Sequence, residues 1–227
     1  MSFNIKKINF NNIDYPTLLK EIPSPPKNVF YKGKLINNRD YCIGIIGTRR
    51  AKKHGLDTAR KMAQDLANLG FIIVSGLALG IDGEAHRGAL SVKGRTVAVL
   101  ANGLDKIYPP EHKKLADDIL NNKGLIISEY PEGTPSYKNN FLARNRIISG
   151  LSKAIIVVES PYKSGAMSTA THAANQGREV FVIPGQANDS LYKGSHSLIR
   201  DGARLVTSSE DVLKDLGFDV KNIKINE

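Results

Sequence analysis

From about residue 41 the chain alternates short β-branched apolar runs with segments of helical period, and this alternation limits the fold more than any other feature. The strand candidates are YCIGIIG, FIIVS, TVAVL, LIISE, AIIVVES, EVFVIPG and a short ARLVT. Several are apolar on both faces, which is how buried parallel strands read. Between them, LDTARKMAQDLANLG places Leu56, Ala59, Met62, Ala63, Leu66 and Leu69 on one stripe and stops at Gly70. Further helices are predicted over 82–91, 111–121, 143–151, 168–176 and 209–216. The pattern predicts an α/β fold: an extended Rossmann-like, doubly wound, mostly parallel sheet with helices on both faces.

Residues 1–40 differ, because Pro16, Pro23, Pro25 and Pro26 break them into short pieces. They read as an N-terminal arm packed on a Rossmann-like domain spanning 41–217, with 218–227 as a C-terminal tail that frays in its last residues. The single cysteine, Cys42, excludes an intramolecular disulfide and falls inside an apolar run, so it reads as a buried, inert thiol. The opening MSFNIKKINFNNIDYP lacks the apolar core of a signal peptide, and no apolar stretch has membrane-span length. A soluble, cytoplasmic protein with no membrane insertion is expected. Its net charge of +10 favours a polyanionic partner.

Ligands of such sheets bind beyond the carboxyl ends of the strands, so the segments after the strands carry the functional reading. The first, GTRRAKKHG, joins a strand-end glycine, Gly47, to the hydroxyl of Thr48 and the forked donors of Arg49 and Arg50, which suit phosphate oxygens. It is neither a dinucleotide fingerprint nor a P-loop. Neighbours on an extended loop point to opposite sides, so one arginine is expected to dominate, and Arg50 is favoured. In SGLALGIDGEAHRG the glycines read as turn structure, Asp82 as a cap on the following helix and His86 as a hydrogen-bonded packing residue. In YKSGAMSTATHAAN, Lys163, Ser164 and Gly165 lead into a helix whose first turn carries no acid, which suits either anion binding or ordinary Ser capping.

SYKNNFLARNRIISG is the richest stretch. Lys138, Arg144 and Arg146 surround Phe141, and basic residues interleaved with an aromatic suit single-stranded nucleic acid: charges follow the backbone while a ring stacks a base. Spacing alone leaves a core role for Phe141 open. Arg144 and Arg146, two apart on a helix, diverge, so one faces the ligand and the other pairs with an acid or a helix end.

No HExxH, nucleophile elbow or metal-ligand spacing is present, so neither metal nor cofactor is expected. Two strand-end acids, Glu129 and Glu159, keep glycosidic cleavage open as the enzymatic alternative.

At this point the chain resembles the DprA/Smf family of DNA-processing proteins. The segments that carry the resemblance, over roughly residues 15–217, include GIIGTRR, SGLALGIDGEAHRGAL, ANGLDKIYPPEHKKL, NFLARNRIISGLS and VVESPYKSGAMSTATHAANQGREVFVIPGQ. The resemblance implies a non-catalytic protein that binds single-stranded DNA in a basic pocket, dimerises, and helps load the RecA recombinase in natural transformation. It matches Gly47, Thr48, Arg49 and Arg50 to the family's pocket edge, and Lys138 and Phe141 to its backbone-contacting lysine and base-contacting aromatic. Arg144, Asn145 and Arg146 match its RNR segment, and Ser164 with Gly165 the turn facing the same pocket. Thr48 replaces the commoner Ser, and His196 stands where Asn is usual. The helical SAM-like and winged-helix-like domains that flank this region in many members have no counterpart in these segments. A phosphoribohydrolase of the LOG type would share the sheet, but the stretch comparable to its P-G-G-x-G-T-x-x-E pattern reads YKSGAMSTATHA and lacks the glutamate.

Overall fold

The structure, a computed structural model, describes residues 3–219. Its strands are β1 (Lys6–Asn9), β2 (Asn28–Gly33), β3 (Cys42–Ile46), β4 (Ile72–Ser75), β5 (Thr96–Leu100), β6 (Leu125–Ser128), β7 (Ala154–Val157), β8 (Glu179–Val182) and β9 (Arg204–Leu205). The helices are α1 (Thr17–Lys20), α2 (Lys53–Asn68), α3 (Ile81–Ser91), α4 (Lys113–Asn121), α5 (Lys138–Gly150), α6 (Gly165–Asn175), α7 (Lys193–Arg200) and α8 (Ser209–Asp215). All nine strands form one sheet in the order β1-β2-β6-β5-β4-β3-β7-β8-β9. From β3 to β9 every pairing is parallel, whereas β2 pairs antiparallel with both β1 and β6.

Alternation along the strands splits the core into two layers. Cys42 and Ile46 of β3, Ile155 and Val157 of β7 and Val97 and Val99 of β5 face α1, α5 and α6, where Leu19, Ile147, Ile148 and Ala170 meet them. Ile43 and Ile45, with Ile73 and Ile156, face α2, α3 and α8 through Ala59, Leu66, Ala85 and Val212. α4 covers the flank of this second face over Ala98, Leu100 and Ile126.

Several expectations are corrected. The proline-rich segment extends the sheet by two strands rather than only lying on it: β2 adds to β6 and β1 to β2. Phe218, assigned to the tail, packs edge-on against Phe71 and Tyr41 with centroids 5.3 Å from each, so the domain runs beyond 217. The rest of that tail, 220–227, lies outside the described residues. α7 was not expected, and α2, α5 and α6 each begin before the predicted residue. Asp82 does not cap α3, whose N-cap is Gly80; its carboxylate accepts from the N–H groups of Gly76 and Ala78 in the preceding loop.

His86 is the hydrogen-bonded packing residue expected. The Thr96 hydroxyl donates to Ile73 O (2.6 Å), so it accepts from His86 Nδ1 at 2.7 Å and leaves Nε2 buried without a partner. Burial first, then the nearby charges of His112, Arg87 and Arg144, lowers its pKa to about 3. The folded value lies below the ordinary 6.5, so His86 contributes stability that is full above pH 6.5 and lost as pH falls toward 3. Denaturant melts at pH 7 and pH 4.5 are expected to show a smaller acid loss for His86→Gln than for the parent chain. An equal loss would remove His86 from the acid response.

Candidate nucleic-acid interface

The sheet order reverses between β3 and β7: the chain winds one way from β3 to β6 and the other way from β7 to β9. A cavity of about 770 Å³ opens beyond the carboxyl ends of the strands at this switch point. Five segments line it: the loops after β3, β4 and β5, helix α5 with Ser136 just before it, and the turn into α6 with the start of that helix.

The first loop leaves β3 at Gly47, where a Cβ would lie 2.5 Å from Ile81 Cγ1 and 2.9 Å from Glu159 O. Only glycine permits this close crossing. Thr48 N–H donates to Glu159 O (2.7 Å), and Thr48 Oγ1 accepts from Arg50 N–H (3.3 Å). Thr48 O receives Ile81 N–H at 3.3 Å over Gly80, whose φ of 75° and 2.4 Å clearance from Thr48 O admit no side chain. The glycines of the second loop thus support the first.

Both arginines of the first loop line the cavity, and their geometries differ. The Arg49 guanidinium lies 5.0 Å from the centre of the Phe141 ring, a cation–π contact inside the site. That placement favours Arg49, not Arg50, as the dominant side chain.

Phe141 belongs to none of the three core clusters and is half-buried. Its ring meets Arg49, Arg144 (5.9 Å) and Tyr108 (5.7 Å between centroids). Lys138, one turn earlier on α5, lines the same wall. The core reading of Phe141 is set aside.

Arg144 faces the cavity floor but is 4% exposed. It donates to Gly76 O (2.7 Å) and to Val99 O, and Asp82 is its counter-charge. Burial lowers its pKa to about 10, with Asp82 opposing, so it is charged at neutral pH. Burial likewise raises Asp82, with Arg144 opposing. Arg144 therefore holds the β4 and β5 ends together through Nη1 and adds positive potential, while its buried Nε has no partner. Asn145 bridges α5 to the turn by donating to Gly165 O (3.2 Å). Arg146 is the one expected residue that the fold does not bring to the cavity. It forms a forked pair with Glu129 (2.6 and 2.9 Å) and donates to Ser24 O, tying α5 to the N-terminal segment.

At the α6 turn both open readings coexist. Ser164 Oγ caps Met167 N–H at 3.4 Å and meets Ser160 Oγ at 2.7 Å. The N–H groups of Gly165 and Ala166 precede any intrahelical partner and line the cavity, with no acid in the first turn. A Cβ on Gly165 would have nothing within 4 Å, so the approach is open. Lys163 stands beside it in a left-handed conformation (φ 57°).

Glu129 and Glu159 do not converge. Four strand spacings separate β6 from β7, roughly 19 Å, beyond the separation two carboxylates need to act on one glycosidic bond. Glu159 is buried and accepts from Lys52 N–H (3.3 Å) at the start of α2. Sequence reading missed Tyr108, whose only signal was an aromatic in the loop after a strand. A groove of similar size, about 740 Å³ between α3 and α4, mixes Lys114 and Arg87 with Glu111 and Asp118 and has no such bias of sign.

Fold and cavity together define a Rossmann-like protein with an anion-receptive site at its switch point. The model of the family DNA recombination-mediator protein A matches residues 6–217. Protein Smf of Synechocystis sp. is 47% identical over 208 residues, covering 90% of this chain and 52% of its own length. The crystal structure of DNA processing protein A from Streptococcus pneumoniae superposes with a TM-score of 0.88 at 40% identity, covering 95% of this chain and 75% of that one. A DNA processing protein A from Helicobacter pylori, described for its single-stranded DNA binding mode, gives 0.82 at 32%, covering 94% and 96%. The chain belongs to the DprA/Smf family of DNA-processing proteins. It spans about half the length of the cyanobacterial relative.

Proposed function

We propose that this chain binds single-stranded DNA in the switch-point cavity, without catalysis, and acts as a recombination mediator that protects the strand and helps load RecA. The observation that carries the reading is the sign of the lining: Arg49, Arg50, Lys138, Arg144 and Lys163 against one acid, Asp82, itself paired with Arg144. Phe141 supplies an aromatic surface among these cations, the combination that tracks a backbone and stacks a base. The helix start at Gly165 adds backbone donors for a phosphate. The RecA and transformation roles rest on family membership. So does a homodimer through the segment around α7, β9 and α8, where Leu205 of the edge strand is 51% exposed.

Titration of labelled single-stranded, duplex and mononucleotide ligands tests this reading. Single strands are expected to bind most tightly, with little sequence preference. Their log affinity should fall against log salt with a slope of about −0.7 per phosphate neutralised. A flat salt response, or tighter binding of duplex, would overturn it.

A further inference from the structure

Among the described residues, the well-exposed large apolar and aromatic side chains are unevenly placed. Leu79, Tyr108, Tyr137, Leu142 and Tyr162, five of eight, all lie on segments that follow β4, β5, β6 or β7, and Tyr108 and Leu142 line the cavity. Tyr108 stands out among them. The residue is 41% exposed, yet the backbone beside it is tied at many points. Asn102 Nδ2 donates to the carbonyls of Gly103 (2.8 Å) and Lys106 (2.7 Å), and Gly103 N–H donates to Thr134 O (2.9 Å). Asp105 Oδ1 accepts from Gly133 N–H (2.8 Å), and His112 N–H donates to Pro109 O (3.0 Å). An exposed ring on so constrained a loop is a preformed surface, and binding to it requires little ordering.

A small cleft beside the main cavity is lined by Arg49, Leu79, Tyr108, Pro109 and Phe141. The Tyr108 and Phe141 rings are 5.7 Å apart and inclined at 56°, so each offers its own face rather than stacking on the other. Arg49 belongs to both the cavity and the cleft. We propose that Tyr108 and Leu79 form a second base subsite, which takes the nucleobase adjacent to the one on Phe141, with Arg49 facing the phosphate that links them. The proposal rests on the reading of the cavity as a single-strand site. Two inclined platforms require neighbouring bases to splay apart, and paired bases in a duplex cannot do so. The subsite thereby gives the cavity a geometric reason to select single strands.

The test uses the full chain and strands of equal length that are abasic except for none, one or two adjacent central thymines, which fixes the register. The parent chain is expected to prefer two thymines over one by at least fivefold, the loss of one stacked base. Tyr108→Ala should bind the one- and two-thymine strands alike while keeping its preference for one thymine over none. Tyr108→Phe, which keeps the ring, should restore the two-thymine preference, and Phe141→Ala, left with the Tyr108 platform alone, should likewise bind the one- and two-thymine strands alike. A two-over-one preference that survives in Tyr108→Ala, or is absent from the parent chain, overturns the subsite. An all-thymine strand run in parallel separates the readings: if the parent chain fails to bind it, the single-strand function itself has failed.

Discussion

Replacing Arg144 by alanine is expected to remove about 3–5 kcal/mol of folding stability, the largest loss among the cavity residues, because it leaves a buried charge without its partner. Arg144 is 4% exposed, and its guanidinium satisfies the carbonyls of Gly76 and Val99 on two adjacent strand ends. Its removal leaves those carbonyls unpaired and isolates the Asp82 carboxyl, which holds Gly76 N–H and Ala78 N–H. A Cβ on Gly76 would come 2.5 Å from the Arg144 guanidinium, so the space is shaped to this side chain and collapses poorly around a smaller one. For a domain of this size the loss corresponds to a drop in melting temperature of roughly 6–20 °C. Thermal melts of Arg144→Ala and of Arg144→Ala/Asp82→Asn check it, and the double variant should recover part of the loss. A single-variant loss below about 1 kcal/mol would refute the structural role assigned to Arg144.

Phe141→Ala is expected to weaken single-strand binding by about 1–3 kcal/mol, or roughly 5- to 150-fold, with the fold intact and the salt slope unchanged. Phe141 contributes to no core cluster, so truncation removes a stacking face rather than packing. Arg49→Ala should weaken binding in a different manner: the salt slope flattens by about 0.7 because one phosphate contact is lost. Arg50→Ala should do less, since of the two loop arginines it is Arg49 whose guanidinium is seated over Phe141. Affinity measured at several salt concentrations separates the three variants. If Phe141→Ala unfolds the chain while its folded fraction binds normally, the ring is structural and stacking is excluded.

The central parallel strands β3 to β7 were legible in the sequence because strands covered on both faces show as mainly apolar runs, and each run overlaps its observed strand. The antiparallel β1 and β2 were not, since KKIN and NVFYKG are polar or mixed and NVFYKG follows directly on a run of prolines. α5 begins at Lys138 rather than 143 because its first turn, Lys138 to Phe141, faces the cavity and shows no apolar stripe. For the same reason the residues that form the site obscured the helix that carries them. The two-residue spacing of Arg144 and Arg146 correctly implied divergence, but only the position of Glu129, just past the end of β6, decides which one turns away. Arg49 and Arg50 present the same difficulty: which guanidinium reaches Phe141 depends on the crossing over Ile81, a contact between distant segments.

The reversal of strand order between β3 and β7 also bears on whether the site could be moved to another protein. A P-loop is one continuous peptide and in principle can be grafted as such. Here the floor and walls come from segments more than a hundred residues apart, joined where Thr48 N–H meets Glu159 O and where β3 pairs with β7. A fragment ending at β6 would hold the arginine loop and Tyr108 but neither Phe141 nor Gly165, and a fragment starting at α5 would hold the reverse. The proposed strand-binding capacity is therefore inherited whole or not at all, as a property of the complete sheet and of no portable motif within it.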